Sequence, residues 1–377
     1  MHFTVSKSVF YKSLQKVIGV IPTKTTIPIL ENIMIELKDN TLQLTGTDLE
    51  ICISTELKVN GMENGACTVP AKSFNEILRE LPDVPIEISL EEDDKFHIKT
   101  DKGLYKLVSQ PKDEFPSIVV EDSEGQLDIN AQILYNMIDK TIFAVSTDEL
   151  RPTLMGVFFQ ITSDEFRCVS TDGHRLVKVI NRDFKSSEFQ KSVIVPTKAL
   201  SLLLKNLDTF PNIEKVQVNF SIGENHVIFR IGEAFVYSKI IEGQYPKFEN
   251  VIPINNDKKM IVNREELMSS VKRVSIFSNL ITHQIKFLID ENNLTISSED
   301  IEFGGEGNEE IPINYESERM EIGYNGVYVL DILRHLDTDD VEFLLKDSVS
   351  AAIINPSAQK QNEDLMMLIM PIRIKEE

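Results

Sequence analysis

The sequence predicts an α+β chain made of three tandem copies of one domain, each copy holding two strand–helix–strands half-units. Three observations carry that prediction: self-similarity at a period of about a third of the chain, one amphipathic helix per half-unit, and alternating strands after each helix. The copies open in parallel as FTVSKSVFYKSLQKV from Phe3, LDINAQILYNMIDKT from Leu127 and MIVNREELMSSVKRV from Met260. Registration is tight at the front, where Val5, Lys16 and Asp48 match Ile129, Lys140 and Asp172 at one constant offset. The second half-units follow as CTVPAKSFNEILREL from Cys67, VIVPTKALSLLLKNL from Val193 and EIGYNGVYVLDILRHL from Glu321. Closing strands begin at Leu104, Phe235 and Leu365. Domains are placed at 1–125, 126–253 and 254–377, with boundaries in the acidic stretch at Glu121 and near Asn255–Lys259, where the hydrophobic pattern lapses.

Each element has a local cause. Ser6, Asn130 and Asn263 stand in one register before the first helices and are good N-caps, with Glu266 completing a capping box on the third. Pro70 and Pro196 introduce second helices, where a missing N–H costs nothing. Phe10, Leu14 and Val17 recur at helical spacing, as do Leu134 and Ile138, and Leu267, Val271 and Val274, giving one buried stripe per helix. Leu42–Leu44 and Ile86–Ile88 alternate with period two and are expected to bury one face only. Helices gathered on one face of antiparallel sheet define the α+β class.

With 377 residues, 42% of them hydrophobic, the chain has room for three ordinary domains. MHFTVSKS lacks a signal-peptide pattern and no apolar run approaches a membrane span, so a cytoplasmic protein with no membrane partner is expected. Cys52, Cys67 and Cys168 have no metal-ligand spacing and fall in strand patterns, so they are expected to be buried thiols, with no metal and no cofactor. A net charge of −21 argues against nucleic acid unless the basic groups share a face.

They do share one. Two positions after the core residues Leu14, Ile138 and Val271 stand Lys16, Lys140 and Arg273, about 200° round the helix and so on its exposed side. Two after Ile77, Leu203 and Ile332 stand Arg79, Lys205 and Arg334. Lys12 lies one turn before Lys16, and Lys72 and Lys198 lie two turns before Arg79 and Lys205, whereas the third copy has Val327 there. Exposed helix faces carry Lys and Arg in any case, but six basic matches in six positions of an acidic chain favour a basic surface.

The three-copy pattern, TDGHRL at Thr171–Leu176 and MPIRI at Met370–Ile374 resemble the bacterial sliding clamps, the β subunits of the replicative DNA polymerase, from end to end of the chain. The resemblance implies a head-to-tail homodimer whose six domains close a ring round duplex DNA, helices lining the hole and sheets outside. Twelve helices spaced about 10 Å apart make a circle about 38 Å across and a hole of about 28 Å. Basic side chains would then meet phosphates through water, attracting DNA without reading bases. The resemblance sets Lys24, in the loop PTKTT, against tilted DNA. It also implies a pocket for short peptides of the replicative polymerase, the ATP-dependent clamp loader, repair polymerases and mismatch-repair proteins. Leu154, Thr171, Gly173, His174, Arg175 and Leu176 would form its walls, Pro246 and Val251 one side, and Leu368, Met370, Pro371, Ile372 and Arg373 the other. Ala351 departs from related clamps that carry a hydroxyl there. Ring closure would pack Tyr105 and Leu107 of one subunit against Ile276 and Phe277 of the next.

TDGHRL also invites a catalytic reading, with His174 as base and Arg175 as an oxyanion clamp. The repeat sets Thr47-Asp48 at the site of Thr171-Asp172, so the pair is architectural and Asp172-Gly173 reads as a turn. No nucleophile motif, metal spacing or phosphate-binding glycine loop accompanies it. The expectation is a non-catalytic processivity factor. The alternatives are a three-domain protein-interaction scaffold that never encircles DNA and, more distantly, an enzyme acting on DNA or nucleotides.

Overall fold

A computed structural model describes residues 1–91, 94–116, 125–183, 190–300 and 304–374. The boundary expected at Glu121 lies outside the described residues.

The first copy begins with β1 (His2–Ser6), α1 (Lys7–Ile18), β2 (Asn32–Lys38), β3 (Thr41–Thr47), β4 (Ile51–Lys58) and β5 (Asn60–Glu63). It ends with β6 (Gly65–Pro70), α2 (Ala71–Glu80), β7 (Pro85–Leu90), β8 (Lys95–Lys99) and β9 (Leu104–Val108). The second begins with β10 (Gly125–Asn130), α3 (Ala131–Ile142), β11 (Gly156–Ile161), β12 (Phe166–Thr171) and β13 (Arg175–Asn181). It ends with β14 (Lys191–Pro196), α4 (Thr197–Leu207), β15 (Gln217–Ile222), β16 (His226–Ile231) and β17 (Ala234–Lys239). The third begins with β18 (Lys258–Asn263), α5 (Arg264–Val274), β19 (Gln284–Asp290), β20 (Asn293–Asp300) and β21 (Gly305–Tyr315). It ends with β22 (Met320–Asn325), α6 (Gly326–Arg334), β23 (Asp340–Leu345), β24 (Ala352–Pro356) and β25 (Glu363–Ile369).

Two compact units result, one of Met1–Tyr135 with Lys198–Ile240, the other of Asn136–Thr197 with Ile241–Glu377. The first unit holds a sheet ordered β5-β1-β7-β8-β9 and another ordered β10-β15-β16-β17-β4-β3-β2-β6. The second holds β14-β11-β12-β13-β25-β24-β23-β18-β21-β20-β19-β22. The strand before each helix therefore joins the three strands of the other half-unit: β1 lies beside β7-β8-β9, and β6 beside β2-β3-β4. The same exchange recurs in the other copies. Quartets of neighbouring copies then join edge to edge. β4 pairs β17 with Cys52 opposite Tyr237, and β13 pairs β25 with Leu176 opposite Leu368.

The helical stripes are buried as their spacing predicts: Phe10, Leu14, Val17, Leu134, Ile138, Leu267 and Val271 are all fully covered. Phe3, Phe10, Phe74 and Phe96 form an edge-to-face chain through the first copy, with centroids 5.5–6.0 Å apart. Asn263 accepts from the Glu266 N–H at 3.1 Å, and Asn130 accepts from Gln132 and Ile133. Ser6 stands at its N-cap position without capping; its hydroxyl meets Ser8 Oγ, and Asp83 Oδ1 accepts the Ser8 N–H at 3.1 Å instead. Ile77, used above as a core reference, is only half-buried; Phe74 and Leu78 hold the α2 core. β3 alternates over Thr41–Leu44 but is buried on both faces from Thr45 to Thr47, where Thr45 Oγ1 donates to Ser54 Oγ and Thr47 Oγ1 to the Ile51 carbonyl. Lys258 and Lys259 already belong to β18, so the pattern lapse at Asn255–Lys259 ends inside a strand. All three thiols are buried, and desolvation pushes Cys52 and Cys67 up to about 12 and Cys168 well above its ordinary value.

Candidate functional site

The second unit gathers most of the expected groove residues. Leu154, Leu176 and Leu368 meet in one apolar cluster with Tyr245, Phe248 and Met366. The β13–β25 pairing places Leu176 beside Leu368, and the Pro152–Leu154 turn brings Leu154 to them. Pro246 is exposed between the buried rings of Tyr245 and Phe248, and Val251, 57% exposed, precedes Ile252, which packs on the cluster. Tyr245 stacks on Phe158 at 4.9 Å, and burial pushes its hydroxyl up. Ala351 lies in the same cluster and its carbonyl accepts from Asn256 Nδ2 at 2.9 Å. Composition alone offered no sign of Tyr245, Phe248, Ile353 or Met366 here; the copy-to-copy equivalence of sheet junctions is the signal that finds them.

The TDGHRL turn forms the cluster's rim. Thr171 Oγ1 donates to the Arg175 carbonyl at 2.6 Å and accepts from the Gly173 N–H at 3.0 Å. Asp172 Oδ1 accepts the His174 and Arg175 N–H groups at 2.8 and 3.0 Å. Gly173 has φ +93°, a left-handed conformation that favours glycine, and a Cβ there would stand 2.9 Å from an Arg151 nitrogen. His174 is exposed beside Tyr328, and its carbonyl accepts the Met370 N–H at 2.8 Å, fixing the C-terminal segment at the rim. Beyond Met370 the chain leaves the cluster: Pro371 follows, the Ile372 N–H donates to the Gly323 carbonyl at 2.8 Å, and Arg373 is exposed.

Arg175 is buried and fully engaged. Its guanidinium reaches Asp172 Oδ2 at 3.0 Å, Asp331 Oδ2 at 2.7 Å and the Phe143 carbonyl at 2.8 Å, and lies over the rings of Phe143 and Tyr328. It holds the turn to α6 and offers no donor fork at the groove surface.

The six register positions all fall in the last turn of their helices, where a cation also complements the helix macrodipole. Their repetition thus has a helix-end cause beside any ligand. Lys12, Lys24, Lys72 and Lys205 are exposed. Arg79 pairs with its neighbour Glu80 at 2.9 Å, Arg334 with Asp331 at 2.9 Å, and exposed Lys198 with Asp48. Arg273 is held by both oxygens of Glu309, which push its pKa further up despite desolvation. Lys16 is half-buried, its ammonium 5.5 Å from the Phe210 ring; burial lowers its pKa and Glu233 opposes that.

Lys140 departs from the expected exposed face. It is 5% exposed and its Nζ sits 2.6 Å from Glu363 Oε1 and 3.4 Å from Asp337 Oδ2, because the β13–β25 junction brings the start of β25 over the end of α3. It is a structural cation, not a surface one.

At the chain's sheet edges, β9 exposes Leu104, Tyr105 and Val108, with Leu107 half-buried. Ile276 is 77% exposed and Phe277 39%. A Cβ on Gly307 would come within 2.5 Å of the Phe277 ring, so Phe277 lies flat on β21.

Among the described residues no group of His, Cys, Asp and Glu could hold a metal, and no helix is long and apolar enough to cross a membrane. Models of the N-terminal, central and C-terminal domains of the DNA polymerase III beta subunit match residues 1–119, 128–247 and 249–373. The beta sliding clamp of Pseudomonas aeruginosa is 32% identical over 99% of this chain and its own whole length, and that of Escherichia coli K12 is 33% identical with the same coverage. The crystal structure of the P. aeruginosa clamp bound to griselimycin superposes with a TM-score of 0.93 at 31% identity, covering 99% of this chain and all of that one. The Bartonella birtlesii clamp, also bound to griselimycin, gives 0.93 at 33% with the same coverage. Three tandem copies joined through shared sheets, with a rim turn and C-terminal strand meeting over one apolar cluster, are the architecture of a sliding clamp. The chain belongs to the DNA polymerase III beta subunit family.

Proposed function

We propose that two copies of this chain close into a ring round duplex DNA and tether the replicative polymerase to it without performing chemistry. The observation that carries the reading is the pair of unmatched sheet edges. Within the chain, outer edges meet as β4 with β17 and β13 with β25. β9 is the equivalent outer edge of the first copy, and Gly305–Pro312 of β21 that of the third; among the described residues each is paired on one side only. An apolar edge left open is a liability unless a second chain covers it. Pairing β9 of one copy with β21 of the next sets Tyr105 and Leu107 toward Ile276 and Phe277, and Lys102 and Lys106 toward Glu306 and Glu310.

In this reading Lys12, Lys16, Lys24, Lys72, Arg79, Lys198, Lys205, Arg273 and Arg334 face the duplex, and Lys140 does not. The cluster around Leu176 and Leu368 takes short peptides of the polymerase, the clamp loader, repair polymerases and mismatch-repair proteins in the cytoplasm. Apolar anchors plus an adaptable Met370 suit such a groove. A weak peptide contact becomes persistent when both partners share one DNA. The test is retention on nicked circular plasmid after loading with clamp loader and ATP. Loss on a single cut, at salt that strips ordinary DNA binders, is the expected result; equal retention on the linear plasmid overturns the ring.

A further inference from the structure

Building on the groove reading of the β13–β25 junction, we infer that the β4–β17 junction carries a second binding groove, for a short linear segment pairing an apolar anchor with a basic residue. The chain's own repeat locates it. Cys52 opposes Tyr237 where Leu176 opposes Leu368, and Ile228 flanks Tyr237 where Ile353 flanks Leu368. On the next strands Met34 opposes Thr45 where Phe158 opposes Val169. Cys52, Ile228, Tyr237 and Phe235 accordingly form an apolar cluster of their own, separate from the first. Pro116 follows the buried Phe115 as Pro246 follows the buried Tyr245.

The surface at this junction is an open cleft of about 590 Å³, lined by Met34, Cys52, Pro116, Ala234 and Phe235 among others. Its walls carry neutral polar groups where its counterpart carries two cations. Gln43 Nε2 and Thr45 Oγ1 donate to Ser54 Oγ at 3.0 and 3.1 Å, where the first groove has Arg167, Val169 and Lys178. Arg230 lies over the Phe235 ring at 5.4 Å, so the arginine shields the aromatic floor. Glu56 and Glu233 are both exposed, line the cleft and are joined by the Glu56 N–H to Glu233 carbonyl bond at 3.1 Å. Two acidic residues held side by side by that main-chain bond, at the edge of an apolar floor, favour a lysine or arginine next to an apolar residue. At the β13–β25 junction the equivalent positions are Ile180 and Asp364, and Asp364 lies 3.6 Å from Arg182, so the two junctions differ in charge there and take different partners.

Methionines report on the two sites separately, Met34 on this cleft and Met366 and Met370 on the other. Full-length protein with ¹³C-methyl methionine is titrated with a synthetic octapeptide carrying Leu-Phe followed by two lysines, and with its counterpart carrying two glutamates. The Met34 methyl is expected to shift saturably with the lysine peptide only, and Glu56→Gln with Glu233→Gln to weaken that binding at least about fivefold while Met366 responds as before. A silent Met34, or one that answers both peptides and both proteins equally, overturns the second groove. A moving Met34 beside Met366 and Met370 that stay silent toward a clamp-loader peptide leaves this inference standing and removes the groove at β13–β25.

Discussion

Lys140 Nζ and Glu363 Oε1 lie 2.6 Å apart with side chains only 7% and 10% exposed, tying the last turn of α3 to the first residue of β25. Asp337 supplies a second, more exposed carboxylate to the same ammonium, and Lys360 bonds that carboxylate at 2.6 Å. Removing one member of a buried pair leaves the other uncompensated. Lys140→Met should cost about 3 kcal/mol, and adding Glu363→Gln should recover part of it. Chemical denaturation of the full chain reads both.

DNA retention should separate Lys140 from its exposed equivalent. Lys205→Glu should shorten residence on nicked circular DNA and flatten the salt dependence of binding, since in the proposed ring it removes a phosphate-facing charge. Lys140→Met should leave the salt dependence unchanged, because its charge is already matched inside the protein. Equal effects would return Lys140 to the DNA surface.

Arg175→Lys keeps the charge but loses the planar fork that reaches Asp172 and Asp331 and the stacking over Phe143 and Tyr328. The expected result is a lower melting temperature together with roughly tenfold weaker binding of a clamp-binding peptide. Thermal unfolding and fluorescence anisotropy measure the two. A variant that melts lower but binds peptide normally would confine Arg175 to stability.

Acid should loosen the Lys140 network. Burial pushes the Asp337 carboxyl up, but Lys360 and Lys140 outweigh it and hold the group below its ordinary value. The folded value is thus depressed, so its stabilisation is complete above about pH 4 and is lost as pH falls through the folded value. Asp337→Asn should reduce the slope of stability against pH in that acid window and leave it unchanged near neutrality.

Ring closure predicts a mass change. Ile276→Asp with Phe277→Asp places two carboxylates at exposed apolar positions and should convert dimers to monomers in sedimentation equilibrium, with the circular dichroism spectrum unchanged. Dimers that persist at micromolar concentration would move the interface elsewhere.

The repeats, the helical stripes, two of the three N-caps and the buried thiols were all readable from the sequence, because each depends on residues within a few turns or strands. The exchange of β1 and β6 between half-units was not, since antiparallel pairing across such distances leaves no local period. The same limit hid Lys140. Its place on the helix matches that of Lys16 and Arg273, and only the arrival of Glu363 from far along the chain turns an exposed position into a buried one. The groove was half legible: TDGHRL and MPIRI marked its rim, whereas Tyr245 and Phe248 reach its floor through a connecting segment with no strand or helix period. Arg175 stood out as a polar residue of the motif, but its partners Asp331 and Phe143 come from other elements.

The edge pairing of β4 with β17 and of β13 with β25 asks nothing of the peptide links between copies. A protease that nicked the segment between Lys239 and Lys258 would leave those ladders intact, although Tyr245 and Phe248 of the β13–β25 floor lie within it, and the fragments would stay associated. Where one polypeptide stops and the next starts is therefore incidental to such an assembly: three copies on one gene, or the same copies on several, would present the same seams.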